Sequence, residues 1–110
     1  MNSTNHVGAA GEMLVCAYFL SQGLEVFRNV AASGPVDLML LNLETNQSIM
    51  VDVKSLRSPY IKADGSYCLG QVCQLRKDGV WQILYIHGEV APRLPEGFWE
   101  ALGMETAECQ

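Results

Sequence analysis

The residues best suited to chemistry in this 110-residue chain lie in two short segments, Pro35-Val36-Asp37 and Val51-Asp52-Val53-Lys54. Strand side chains alternate between faces, so within residues 48–54 Ile49, Val51 and Val53 share one face while Met50, Asp52 and Lys54 share the other. Asp52 and Lys54 then stand about 7 Å apart and parallel. Residues 36–43 are apolar enough for a preceding strand, with Glu44-Thr45-Asn46-Gln47 as the hairpin loop. A register set by that loop puts position 39 opposite 52 and position 37 opposite 54, gathering two carboxylates and an ammonium. On pattern alone the set reads either as a solvated face with a cross-strand ion pair or as a site that holds a cation. The flanks favour the site: Leu38, Met39, Leu40 and Leu41 with Ile49, Met50, Val51 and Val53 form near-continuous apolar runs, as in strands covered on both faces. A charge there is costly unless it is paired or binds a metal.

The element that must meet these strands is the first helix. Up to Leu24 the sole charged side chain is Glu12, inside residues 7–22, a run with apolar helical spacing that Gly23 ends as a C′ cap. Val15, Cys16 and Phe19 lie on the same arc as Glu12, so this acid points inward. Two plainer roles stay open for it: favouring the helix macrodipole near the N-terminus, or reaching the rim of the core and snorkelling to water.

The order Gly8-Ala9-Ala10-Gly11-Glu12 on a helix, a strand over residues 24–30, then Pro35-Val36-Asp37 and Asp52-Val53-Lys54, resembles the PD-(D/E)XK nuclease superfamily. Within it the chain is most similar to small intron-associated homing endonucleases and to Holliday-junction-resolvase-like nucleases. The likeness covers residues 8 to 55. It departs from the superfamily pattern in two places: Val36 separates Pro35 from Asp37, and the helix that normally follows the lysine strand is hard to find.

The resemblance implies an α/β (α+β) fold of restriction-endonuclease-like type, with a central mixed sheet flanked by helices and an N-terminal helix followed by a β-meander. It implies that Asp37, Asp52 and the carbonyl of Val53 bind Mg²⁺ or Mn²⁺, that Glu12 completes or orients the site, and that Lys54 positions the attacking water or stabilises charge. The activity implied is hydrolysis of phosphodiester bonds in duplex or branched DNA. These roles suit the residue types. A hard cation on carboxylate oxygens polarises a phosphate and lowers the pKa of bound water, and Mg²⁺ keeps several waters, so two or three acids suffice. A lysine beside it offsets charge gathering on the phosphoryl oxygens.

Length and a 49% hydrophobic content fit one domain spanning residues 1–110, with a core at about 6–103 and a frayed tail at 104–110. A single acid cluster cuts one strand, so cleavage of a duplex calls for a homodimer or homotetramer. Phe98, Trp99 and Leu102 are interface candidates as well as core candidates.

The net charge of −5 opposes phosphate binding. Its distribution softens the objection, because Glu96, Glu100, Glu105 and Glu108 put four of the twelve acids in the last fifteen residues, where there is no Lys or Arg. Six of the seven basic residues follow the hairpin, and Arg57 and Lys62 are the expected substrate contacts because they follow the catalytic strand directly.

Cys16, Cys68, Cys73 and Cys109 lack metal-site spacing. With no signal peptide and no long apolar run, the expectation is a cytoplasmic protein with reduced thiols and no membrane contact. His6 and His87 read as surface or strand-end residues. Asp64-Gly65 and Asp78-Gly79 are turn signals bounding a hairpin over residues 66–87, whose second strand is residues 80–87. The resemblance would place a helix near residues 69–76 instead, and Gln71 is the polar residue there that it would bring to the substrate. Residues 96–102 read as a short helix stopped by Gly103. The competing function is a non-catalytic nuclease-fold module that binds DNA or protein.

Overall fold

A computed structural model describes residues 4–31, 34–57 and 73–105. Helix α1 (Thr4–Ser21) precedes strands β1 (Glu25–Arg28), β2 (Leu38–Asn42), β3 (Gln47–Leu56), β4 (Gln74–Leu75) and β5 (Val80–Ile86), and a single 3₁₀ turn (Glu100–Leu102) follows. The strands form one five-stranded mixed sheet in the order β1-β2-β3-β5-β4. β1, β2 and β3 run as an antiparallel meander, β5 joins β3 in parallel, and β4 returns antiparallel along β5. This is an α+β arrangement with the expected helix-then-meander order. Among the described residues α1 is the one α-helix that flanks the sheet, and most of the segment where the resemblance implies another, near residues 69–76, lies outside them.

Helix α1 buries a stripe at i, i+4 spacing, Val7, Gly11, Val15 and Phe19, with Cys16 beside it. Its end is a Schellman motif: the Leu24 N–H donates to the Phe19 carbonyl at 3.2 Å and the Gly23 N–H to that of Leu20 at 3.0 Å, with Gly23 at φ 87°. Leu24 and Phe19, the apolar pair that accompanies the motif, are both in the core. Gly11 sets how near the helix comes. A Cβ placed there would stand 2.8 Å from the Ser55 Cβ on β3, so glycine alone permits this approach.

The core fills the space between α1 and one face of the sheet: Leu38 and Leu40 of β2, Ile49 and Val51 of β3, and Trp81, Ile83 and Tyr85 of β5 pack with Phe19, Phe98 and Leu102. Phe98 and Leu102 are thus committed inside this chain and do not supply the interface proposed for them. The opposite face is only partly covered among the described residues. Met39 and Met50, neighbours across β2 and β3, are 39% and 41% exposed, which corrects the expectation that both strands are covered on both sides.

Several boundaries moved for physical reasons. The hairpin pairs Met39 with Met50 and Leu38 with Val51, two residues away from the expected register, because the turn is Leu43-Glu44-Thr45-Asn46 and Gln47 already belongs to β3. Asn46 takes the left-handed conformation at φ 61° that this turn requires. A two-residue shift preserves facing, so Asp52 and Lys54 keep their side of the sheet. Residues 96–102 form turns and one 3₁₀ turn, since Gly97 at φ 83° breaks the helical path; Gly103 ends the segment in the left-handed region, as expected. The hairpin before β5 is present in its last part, with Gln74 opposite Gln82 and Leu75 opposite Trp81. Residues 66–72, including Gln71 and Cys68, lie outside the described residues, as do Asp64, Gly65, Lys62 and Cys109. No helix among the described residues is long and apolar enough to cross a membrane.

Candidate functional site

The site forms where β2 stops and β3 continues. β2 begins with Leu38 opposite Val51, so that among the described residues the remainder of β3 has no neighbouring strand on that side, while β5 follows it on the other as far as Leu56. Asp37 occupies the break. Its N–H donates to the Val51 carbonyl at 2.9 Å and its carbonyl accepts from the Asn29 N–H at 2.9 Å, which holds its backbone between β1 and β3. Its carboxylate Oδ2 accepts the Val53 N–H at 2.7 Å, taking the place of a strand partner. Upstream, Pro35 has no N–H to extend the ladder.

Asp52 is only 5% exposed and adjoins Asp37 closely enough for the two carboxyl groups to share a hydrogen bond. Burial, and then that hydrogen bond, push the Asp52 carboxyl above its usual range; Lys54 opposes the shift without cancelling it. The Lys54 Nζ stands 3.3 Å from Asp52 Oδ2, with 55% of its own side chain exposed, so its ammonium faces both the acid and solvent. This is the alternation expected from sequence. Lys54 thus forms an ion pair within its own strand, with an acid that is itself buried.

Glu12 comes from α1, on the face of the sheet opposite to Asp52 and Lys54, and meets only Asp37 of the set. Its side chain is 24% exposed, so it lies at the rim and not in the core. A cleft of about 200 Å³ is lined by Glu12, Arg28, Asn29, Val30, Ala31 and Asp37, which places Glu12 and Asp37 on one opening. Asn29 shapes its wall, donating from Nδ2 to the Val36 carbonyl at 2.8 Å and accepting the Ala31 N–H on Oδ1 at 3.0 Å. The route from sequence to this position runs through Gly11: the helix can sit against Ser55 only without a Cβ there, and Glu12 is the next residue.

Asp37 is therefore the hinge of the set, touching Asp52 and the Val53 backbone and sharing a cleft with Glu12. Among the described residues no group of three or more His, Cys, Asp or Glu side chains is gathered to hold a metal ion. Asp37 and Asp52 are adjacent hard oxygen donors, whereas Glu12 is engaged elsewhere, by Arg28 at 3.6 Å. Arg57 is exposed just beyond the end of β3. His6 and His87 are both exposed.

Two cations went unnoticed as site residues in the sequence. Arg76, in the turn between β4 and β5, places Nη1 3.8 Å from Asp52 Oδ2 while Nη2 pairs with Asp78 Oδ2 at 2.6 Å. The hairpin carries it there, because β4 lies beside β5 and β5 beside β3, with Gln82 alongside Asp52. Arg28, at the end of β1, is the other. Its signal was available, since it is the only Lys or Arg before Lys54, but nothing in the spacing links it to Glu12.

No family model, curated protein or solved structure matches this chain. The functional reading therefore stands on its geometry and on the residue pattern alone.

Proposed function

We propose that this chain is a divalent-metal-dependent endonuclease subunit of PD-(D/E)XK type that hydrolyses phosphodiester bonds in duplex or branched DNA. The observation that carries the reading is the pairing of Asp37 with the buried Asp52 at the break in the sheet, with Lys54 3.3 Å from Asp52. Asp37 caps the Val53 N–H, but a second carboxyl group beside it, shielded from water and held above its usual range, is costly to a core strand. A cation at their oxygens would relieve that cost.

The donor set suits Mg²⁺ or Mn²⁺, with Asp37 and Asp52 holding the ion, the Val53 carbonyl adjacent in the strand, and Glu12 able to join from the shared cleft. When bound, the ion supplies electrostatic stabilisation of a phosphodiester under attack and acidifies its own water. The rest falls to the protein. Lys54, anchored by Asp52 and open to solvent, orients a water for in-line attack and offsets charge on the phosphoryl oxygens. Arg76 approaches the same Asp52 oxygen at 3.8 Å, and its contact with Asp78 fixes the guanidinium. Arg57 and Lys62 would follow the DNA backbone beyond β3. A second copy of the chain would supply the other cut in a duplex.

A non-catalytic nuclease-fold module that binds DNA or protein is the second reading, and one observation favours it: Glu12 is paired with Arg28. Incubation with supercoiled and branched DNA in Mg²⁺ or Mn²⁺ separates the two. Nicking that is lost in chelator, in Asp52→Ala and in Lys54→Ala, with folding retained, supports the nuclease. Activity that survives Asp52→Ala, or DNA binding without cleavage in any metal, overturns it.

A further inference from the structure

Arg28 does not belong to the acid-and-lysine pattern, yet it lines the cleft in which two of that pattern's residues, Glu12 and Asp37, meet. It lies on β1 opposite Leu38, and since Leu38 is buried in the core, alternation turns Arg28 to the helix side of the sheet, towards α1. There its Nε stands 3.6 Å from Glu12 Oε1. That separation exceeds the roughly 2.7–2.9 Å of a tight charge-assisted hydrogen bond, and the arginine side chain is 54% exposed. A pair so long and so open to water is weak. The cleft around it, about 200 Å³ with Asp37 on the other side, has room for several waters at roughly 30 Å³ each.

We propose that Arg28 is a positioning residue that stands in for the cation: it neutralises Glu12 while the site is empty of metal, yields that carboxylate when a divalent ion arrives, and then turns its guanidinium to the substrate phosphate. The inference rests on the nuclease reading and adds to it a residue outside the superfamily pattern. Three features converge on it. Glu12 faces a cleft shared with Asp37, so without a counter-charge two carboxylates would face one opening. Arg28 is the only Lys or Arg in the sequence before Lys54, and it is used at this point. Its contact is loose enough to exchange, and a planar guanidinium suits bidentate contact with phosphate oxygens.

The test is calorimetric titration of Mn²⁺ into the full chain without DNA, comparing wild type with Arg28→Gln and Arg28→Lys, each also in a Glu12→Gln background. Folding is checked by thermal melting. Removing a competitor of this strength should tighten Mn²⁺ binding by about two- to fivefold in Arg28→Gln. Arg28→Lys, which keeps the charge, should stay near wild type, and the gain should vanish once Glu12 is Gln. In Ca²⁺, Arg28→Gln should bind a DNA duplex more weakly than wild type. Unchanged or weaker Mn²⁺ binding in Arg28→Gln, an equal gain in the Glu12→Gln background, or undiminished DNA affinity overturns the inference while leaving the nuclease reading in place. Absence of Asp52-dependent Mn²⁺ binding in every variant overturns both, and the Asp52→Ala titration distinguishes that case.

Discussion

Two buried polar residues at opposite ends of the sheet, Asn42 and Asp52, differ in how completely their surroundings satisfy them. Asn42 ends β2; its Nδ2 donates to the Leu102 carbonyl at 2.7 Å and its Oδ1 accepts the Glu44 N–H at 3.0 Å. Thr45 Oγ1 also donates to the same carbonyl at 3.1 Å. Each polar group of this side chain has a partner, and the result is a tie between the β2–β3 turn and the C-terminal 3₁₀ turn. Asp52 is buried to a similar degree but adjoins another acid, and its cations, Lys54 and Arg76, approach to 3.3 and 3.8 Å. The contrast separates a polar group buried to hold the chain together from one buried at a cost to stability. The second kind is expected where binding or catalysis compensates.

The largest effect that would sharpen this contrast is on activity. Lys54→Ala should lower DNA nicking by about 10²–10³-fold with little change in stability, as for removal of one group that stabilises transition-state charge. An equal loss of stability and activity would place Lys54 among structural residues instead. Asn42→Ala should do the reverse. Removing the acceptor of the Glu44 N–H and leaving the Leu102 carbonyl with Thr45 Oγ1 alone should cost about 1–2 kcal/mol in urea unfolding, with turnover retained at temperatures where the protein is folded.

Next in size are the two glycines before Glu12, which test whether helix position or helix propensity governs the site. Gly11→Ala forces a Cβ against Ser55 and should destabilise by about 1–3 kcal/mol, displacing Glu12 as α1 lifts from β3. Gly8 has nothing within 4 Å of a built Cβ, so Gly8→Ala should stabilise by about 0.5–1 kcal/mol. Paired thermal melts decide it. The same sign for both would mean that close packing at Gly11 is not what the helix needs.

The smallest effect is in the pH dependence of stability. Burial and the Asp37 neighbour raise Asp52, so the folded chain keeps that proton to higher pH than the unfolded chain does. The contribution is complete below the ordinary carboxylate value of about 3.9 and is lost as pH rises through the raised one. Urea midpoints measured between pH 4 and 8 should therefore show wild type losing ground to Asp52→Asn as pH increases. Mg²⁺ or Mn²⁺ should reverse the trend by favouring the carboxylate. A pH-independent difference would mean that Lys54 and Arg76 fully offset the burial.

Much of this arrangement was legible from local pattern. The period-two alternation in β3 put Asp52 and Lys54 on one face, and a hairpin misread by two residues kept them there because facing depends only on parity. The i, i+4 stripe through Val15 and Phe19 located α1, and Gly23 marked its end. The C-terminal segment differs from the short helix expected over residues 96–102 because Gly97 adopts the left-handed region, after which only one 3₁₀ turn forms. Arg28 and Arg76 escaped for a different reason. Each meets its acid across elements distant in sequence, and no periodicity within a strand records such a meeting.

The sequence by itself determined which faces the charged residues occupy and where the helix and the strands run, because those follow from backbone periodicity and from glycine and proline stereochemistry at single positions. Only the tertiary structure decided that β2 begins one residue after Asp37, so that this carboxylate caps the Val53 N–H and meets Asp52, and that Glu12 arrives already paired with Arg28. Those outcomes depend on where neighbouring strands end and how closely a helix can pack, which are properties of several segments at once.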